Sequence, residues 1–207
     1  MIGKLIVVHS GKGGVGKTIM ATNICKEMPN VRYCTNDVNG ISLVDENMVA
    51  DPVYLKNTTM QELNEMLSRS INIVVDFAGG TIIQGFEEQI VRAANMVVIA
   101  VGRTYDEYIP AITDAVGLSE INKVILFISS GRTPLSSSDE INISELIRKH
   151  HNSKAFLSLP SSEKLVLLSN VKNIKFSQAK TLVKDLQMQD KLFLQQWEKM
   201  NEILTFV

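Results

Sequence analysis

The sequence predicts one α/β domain, a mostly parallel twisted sheet with helices on both faces. Three observations carry that reading. Apolar runs of strand length alternate along the whole chain with segments of helical period. The first of these runs is apolar at successive positions rather than alternate ones, as strands buried on both faces are. A glycine-rich segment joins that run to the first helical segment, at the carboxyl end of a strand, where open α/β sheets place their ligands.

Composition narrows the class. At 207 residues, a single domain over residues 1–207 is expected, large enough to bury most of its apolar surface. Hydrophobic residues make up 45% and charged residues 21%, an ordinary soluble composition. The longest apolar runs, such as Val97 to Val101, fall far short of the ~20 residues a membrane span needs. The N-terminus enters a strand directly, so no signal peptide is expected. Cys25 and Cys34 are the only cysteines and form no Cys-x-x-Cys pair, which points to a reducing cytoplasm and against an iron–sulfur cluster. Net charge is −1, but residues 148–199 hold ten Lys/Arg against four acids. That run reads either as a solvated helical face or as a sequence-independent DNA surface.

The elements follow in order. Lys4 to His9 is the first strand. The segment Gly11-Lys12-Gly13-Gly14-Val15-Gly16-Lys17-Thr18 then fits the phosphate-cradling pattern of Gly, four residues, Gly-Lys-Thr. Glycines let backbone N–H groups curl around anionic phosphates, and the helix starting near Gly16 adds the positive end of its dipole. Lys17 is expected to reach the β- and γ-phosphates and the Thr18 hydroxyl to bind Mg²⁺. A helix over 17–28 buries Met20, Ala21, Ile24, Cys25 and Met28, and Pro29-Asn30 stops it. Val31 to Thr35 is a short strand. Residues 40–57, with Pro52, read as loop with one short strand. Thr59-Met-Gln-Glu62 is a capping box opening a helix that turns Leu63, Met66 and Leu67 inward.

Ile71 to Asp76 is a buried strand ending in an acid, followed by Phe77-Ala78-Gly79-Gly80. A carboxylate there can hold the Mg²⁺ shell, and the glycines would let backbone approach the γ-phosphate. A helix over about 83–94, a strand over Met96–Val101 and a helix with Pro110 in its first turn come next. The strand Lys123–Ser129 is followed by a Ser-rich cap at 136–138 and a helix to about His151. Ala155–Leu159 is the last strand. One long helical segment over about 176–205 closes the fold, with Leu182, Leu186, Phe193, Trp197, Met200 and Leu204 as its inward stripe. Its end lacks the basic amphipathic pattern of a membrane anchor, so no membrane partner is expected. His150 and His151 point apart on one helix and His9 reads as packed, so no zinc site is expected.

The string Lys12-Gly-Gly-Val-Gly-Lys-Thr18, with Asp76-Phe-Ala-Gly79, resembles the deviant Walker A ATPases of the ParA/MinD family, a P-loop NTPase group. Membership would imply an ATP-dependent sandwich dimer in which Lys12 acts across the interface on the partner's nucleotide. It implies ATP and Mg²⁺ as cofactors, a nucleotide-binding segment from Gly11 through Ile19 with Gly79, and Mg²⁺ held by Thr18, Asp37 and Asp76. In the family a D-x-D pair followed by Pro-Gln stands where this chain has Thr35-Asn36-Asp37-Val38-Asn39. By resemblance Asp37 orders the attacking water, while Thr35 and Val38-Asn39 depart from the pattern. Adenine contacts carry over to Ser130, Arg132 and Pro160, and Arg103 falls near the dimer seam. Asn95 sits where relatives place an Asn or Asp before a strand.

The absence of an N-terminal DNA-reading extension resembles the short plasmid-partition members. There, ATP drives dimerisation, the dimer binds DNA non-specifically, and a cargo-bound protein partner stimulates hydrolysis. The motifs fit equally an accessory ATPase of conjugative DNA transfer. A nucleotide-gated scaffold with negligible hydrolysis is motivated by Thr35 and Val38-Asn39. A small-molecule kinase would need an arginine-rich lid that the sequence lacks.

Overall fold

The computed structural model describes residues 2–37, 52–102, 104–122, 125–130, 138, 141, 145, 155–159, 165 and 174–206; for Tyr105, 125–130, 155–159, Lys180 and Phe206 it describes backbone only. The strands are β1 (Leu5–His9), β2 (Val31–Thr35), β3 (Val53–Tyr54), β4 (Asn72–Asp76), β5 (Met96–Val101), β6 (Ile125–Ser130) and β7 (Ala155–Leu159). The helices are α1 (Lys17–Glu27), α2 (Met60–Ser68), α3 (Phe86–Ala93), α4 (Tyr105–Ser119), α5 (Phe176–Leu182) and α6 (Met188–Phe206). They build one seven-stranded sheet in the order β3-β2-β4-β1-β5-β6-β7. Every strand pair among the described residues is parallel.

Period-two alternation divides the core. Ile6, Val8, Val74 and Val98 face α1, α5 and α6, whereas Leu5, Val7, Val75 and Val97 face α2, α3 and α4. Helices therefore cover both faces. From β1 the chain passes to β2 and out to the edge strand β3, returns to β4 beside β1, and then crosses to the other side through β5, β6 and β7. The direction of winding reverses beside β1, so the crevice beyond its carboxyl end is the switch point where such sheets bind ligands.

Side-chain amides fix the strand starts. Asn95 accepts the Leu5 N–H through Oδ1 at 2.8 Å, and its own N–H donates to the Leu5 carbonyl, so the expected Asn before β5 locks β5 to β1. Asn72 Oδ1 accepts the Lys4 N–H at 2.9 Å and its amide donates to the Pro29 carbonyl, tying β4 to β1 and to the turn before β2. The strand-end register that matters sets Val8 and Thr35 beside Asp76.

Three boundaries differ from expectation. Thr104 and Glu107 form a capping box, so α4 starts at Tyr105 and Pro110 lies inside it rather than in its first turn. That proline removes the bond to the Asp106 carbonyl, a cost the helix absorbs because its buried face, with Ala111, Ala115 and Leu118, packs on the sheet. The segment over 176–205 is two helices, because the Gln187 N–H is captured by the Asp190 carboxylate at 2.9 Å and α6 restarts there. Leu182 ends α5 and is 59% exposed, outside the stripe, while Phe193, Trp197, Met200 and Leu204 are buried. The helix expected from about residue 83 starts at Phe86, after Gly85 at φ 58°.

Candidate functional site

The glycine loop is shaped for an anion. Gly14 (φ 79°) and Gly16 (φ 89°) take left-handed conformations that an L side chain would strain. Gly16 caps α1 with no side-chain hydrogen bond, so no side chain at the cap competes for the first-turn amides of that helix. Val15 is buried and anchors the loop, while Lys12, Gly13 and Gly14 are exposed. Lys17 opens the helix, is buried, and donates from Nζ to the Lys12 carbonyl at 3.0 Å. Burial holds its ammonium below the ordinary lysine range, opposed by the charges of Asp76 and Asp37.

Asp76 ends β4 directly beside the loop and is buried. Its Oδ2 accepts two hydroxyls, Thr18 Oγ1 at 2.7 Å and Tyr33 Oη at 2.8 Å. Its Oδ1 is buried and has no hydrogen-bond partner among the described residues. Burial raises the Asp76 pKa; the two hydroxyls and the Lys17 charge oppose that, and Asp37 adds to it. The same desolvation, with the carboxylate alongside, pushes the Tyr33 phenol well above its usual range, so it stays a donor. A buried carboxylate oxygen without a partner, beside a threonine hydroxyl at the foot of a phosphate loop, fits a hard cation such as Mg²⁺. Thr18 can offer a lone pair to the metal while its O–H continues to donate to Asp76.

The end of β2 closes the site from the other side. Thr35 Oγ1 donates to the Asp76 carbonyl at 2.7 Å and accepts the Asp37 N–H at 3.0 Å. The departure from the acidic pair thus exchanges a carboxylate for a hydroxyl that clamps two strand ends. Asn36 Oδ1 accepts the Ala78 N–H at 2.7 Å. Beyond β4, Ala78 to Thr81 form a β-turn, with the Thr81 N–H on the Ala78 carbonyl at 3.1 Å and Gly80 at φ 75°. Gly79 lies on the phosphate loop, and a Cβ there would come within 2.6 Å of Gly13 Cα. Gly11 is similarly crowded, by the Asp114 carboxylate on α4, 2.5 Å from where a Cβ would sit. His9 is buried, with Nε2 3.3 Å from Asp114 and its ring edge-on to Phe77.

Lys17, Thr18, Asp37, Asp76 and Gly79 are thus gathered around one crevice. Lys12 stands exposed at its rim, and Ile19 is 42% exposed on the first turn of α1. Ser130 ends β6 on the same edge of the sheet, described as backbone. Arg103, Arg132, Pro160, Val38-Asn39, Lys172, the cap at 136–137, His150 and His151 lie outside the described residues. Of the basic run, Lys184, Lys191 and Lys199 are exposed and Lys175 is half-buried.

Sequence reading did not find Tyr33, Thr81 or Asp114, and gave Asn36 no role. A phenol inside an otherwise buried strand was the available sign, since such a hydroxyl needs a partner. Asp114, distant in sequence, gave none.

No family model and no curated protein sequence matches the chain. Solved structures do match it. The Pyrococcus furiosus cell division ATPase MinD is 14% identical with a TM-score of 0.61, over 98% of this chain and 100% of that one. Cyanothece McdA is 12% identical with a TM-score of 0.60, over 94% and 99%. A putative plasmid partition protein from Borrelia burgdorferi, bound to AMPPNP, is 14% identical with a TM-score of 0.57, over 97% and 100%. This chain has the fold of the ParA/MinD/McdA ATPases, an α/β P-loop fold, over nearly their whole length.

Proposed function

We propose that this protein is a Mg²⁺-dependent ATPase of the ParA/MinD type that dimerises on ATP and positions DNA cargo. The observation that carries the reading is the Thr18–Asp76 hydrogen bond beside a loop whose Gly14 and Gly16 are left-handed. Lys17 is the cation for the β- and γ-phosphates; its Nζ needs only to leave the Lys12 carbonyl to reach them. Backbone N–H groups of Gly13 to Thr18 bind the phosphate oxygens. Thr18 and Asp76 hold Mg²⁺, with Asp37 in its outer shell or orienting the attacking water. When bound, the metal neutralises phosphate charge. Gly79, packed on Gly13 of the loop, would meet the γ-phosphate, and the adenine contacts are assigned by resemblance to Ser130, Arg132 and Pro160. Lys12, exposed at the rim, reaches the nucleotide of a second copy.

The acceleration such a site supplies is positioning and charge stabilisation rather than covalent chemistry. ATP-dependent dimerisation would assemble a DNA-binding surface from the basic run over 148–199, and a cargo-bound protein would stimulate hydrolysis. Titrating the protein with labelled ATP and ADP, with and without Mg²⁺, tests the nucleotide site. Tight binding that Mg²⁺ strengthens is expected; absence of binding overturns the assignment.

A second reading is a nucleotide-gated scaffold with very slow turnover. It is favoured by Thr35, whose hydroxyl is committed to Asp76 and Asp37 and leaves no second carboxylate at the end of β2. Turnover measured with and without DNA separates the two. An accessory role in conjugative DNA transfer uses the same site and differs only in cargo.

A further inference from the structure

The β-turn Ala78–Thr81 is gripped by one side chain from the residue that follows β2. Asn36 Oδ1 accepts the Ala78 N–H at 2.7 Å and its Nδ2 donates to Thr81 Oγ1 at 3.3 Å. Thr81 Oγ1 in turn donates to the Ala78 carbonyl at 2.7 Å, which closes a ring of hydrogen bonds through both ends of the turn. Between those ends, Gly79 packs on Gly13, and the Gly80 N–H points at the Ser10 carbonyl at 3.5 Å. The turn therefore touches the phosphate loop on one side and Asn36 on the other. Asn36 is the immediate neighbour of Asp37, whose own N–H is held by Thr35.

From this juxtaposition we infer that Asn36 is a positioning residue, coupling the turn over the γ-phosphate position to Asp37. The inference rests on the nucleotide-binding reading above. Gly79 packs on Gly13 with no room for a Cβ, so a γ-phosphate bound at that part of the loop would meet the Gly79 backbone. The turn is short and closed by its own hydrogen bond, so it moves as a unit. Its grip on Asn36 carries that movement into the chain at Asp37. ADP lacks the group that presses on Gly79 and makes no use of the link. Either partner of the Asn36–Thr81 contact can be removed without touching a group that meets nucleotide or metal. The link spans two segments distant in sequence, so removing a hydrogen bond at either end breaks the same path.

The test compares wild type with Asn36→Ala, Thr81→Val and the double variant. ADP affinity, single-turnover ATP hydrolysis and hydrogen exchange at the Ala78–Thr81 amides with ADP or AMPPNP are measured. Wild type is expected to protect those amides more with AMPPNP than with ADP. In Asn36→Ala that difference collapses and the hydrolysis rate falls by about tenfold, while ADP affinity holds within about twofold, the signature of an interaction used beyond ground-state binding. Thr81→Val falls less, and the double variant is no slower than Asn36→Ala, because both break one link. An unchanged rate and exchange pattern in Asn36→Ala overturns the inference, as does an equal loss of ADP and ATP affinity. Wild-type protein that binds neither nucleotide overturns the underlying assignment instead.

Discussion

Asp76 shows how much a single side chain costs when its partner is elsewhere. Its carboxylate is buried, raised in pKa by desolvation, and has one oxygen with no hydrogen-bond partner among the described residues. For a carboxylate whose folded pKa lies above its unfolded value of ~3.9, the folded state binds more protons between the two. Stability therefore falls as pH rises through that window, and the cost persists at neutral pH. Asp76→Asn should raise the Tm of the nucleotide-free protein at pH 7, and the gain should vanish towards pH 4. The same variant should lose the effect of Mg²⁺ on nucleotide affinity. A lower Tm at pH 7 would show that the carboxylate is not strained. Lys17→Ala should abolish nucleotide binding, read by titration with labelled ATP. The placement of the glycine loop after β1 and of Asp76 at the end of β4 was legible in the sequence because each is marked by a short contiguous motif. Tyr33 was not, because a phenol in a strand carries no sign of which acid it will meet across a parallel pair. The two thiols test burial at the same scale: Cys34 is pushed up to about 12 by burial and Cys25 further still. Neither should react with a thiol reagent at pH 8 until the protein unfolds. Rapid labelling in native buffer would contradict the packing on both faces of β2 and α1.

At the scale of the element, local rules succeeded where one short signal decides the outcome. The Thr59–Glu62 capping box was legible and is present, with the Thr59 N–H on Glu62 at 2.7 Å and the Glu62 N–H on Thr59 at 3.2 Å. Thr59→Ala should cost ~1 kcal/mol of stability, measured as a shift in the urea midpoint with an unchanged slope. An unchanged midpoint would mean that α2 is held by Leu63 and the sheet alone. Where two signals compete, the sequence was harder to read. Pro110 suggested a first turn, yet Thr104 and Glu107 form the same kind of box ahead of it and set the start. The apolar stripe over 176–205 suggested one helix, since 3.6-residue spacing continues across the break. The capture of Gln187 by Asp190 interrupts the backbone there, and Leu182 is left at the surface. Strand identity survived these errors because parallel strands are apolar on both faces, and tertiary burial leaves little freedom in them.

At the scale of the whole molecule, the open question is what lies across the phosphate loop. Lys12 occupies an exposed loop tip beside Gly13 and Gly14, which are exposed with it. Its carbonyl holds Lys17, and the residue is exposed, so a second nucleotide brought face to face with the loop would give its ammonium a task. Lys12→Ala should therefore keep monomeric nucleotide binding within a few-fold and lose the ATP-dependent dimer, followed by light scattering with ADP and with ATP and Mg²⁺. A dimer that persists in the variant removes the role across the interface. The proposed DNA surface is tested under the same ATP and Mg²⁺ conditions. Lys184 stands exposed and Lys175 half-buried, within the stretch where basic residues outnumber acids. Substituting Lys172, Lys175, Lys180 and Lys184 together should weaken binding to duplex DNA of any sequence. It should also flatten the slope of log affinity against log salt by close to one unit for each phosphate that these lysines neutralise. Weaker binding with an unchanged slope would mean that these lysines act through the fold and not through phosphates. No change in either would make the run a solvated face, and the proposed DNA-binding role would then need a surface other than this one.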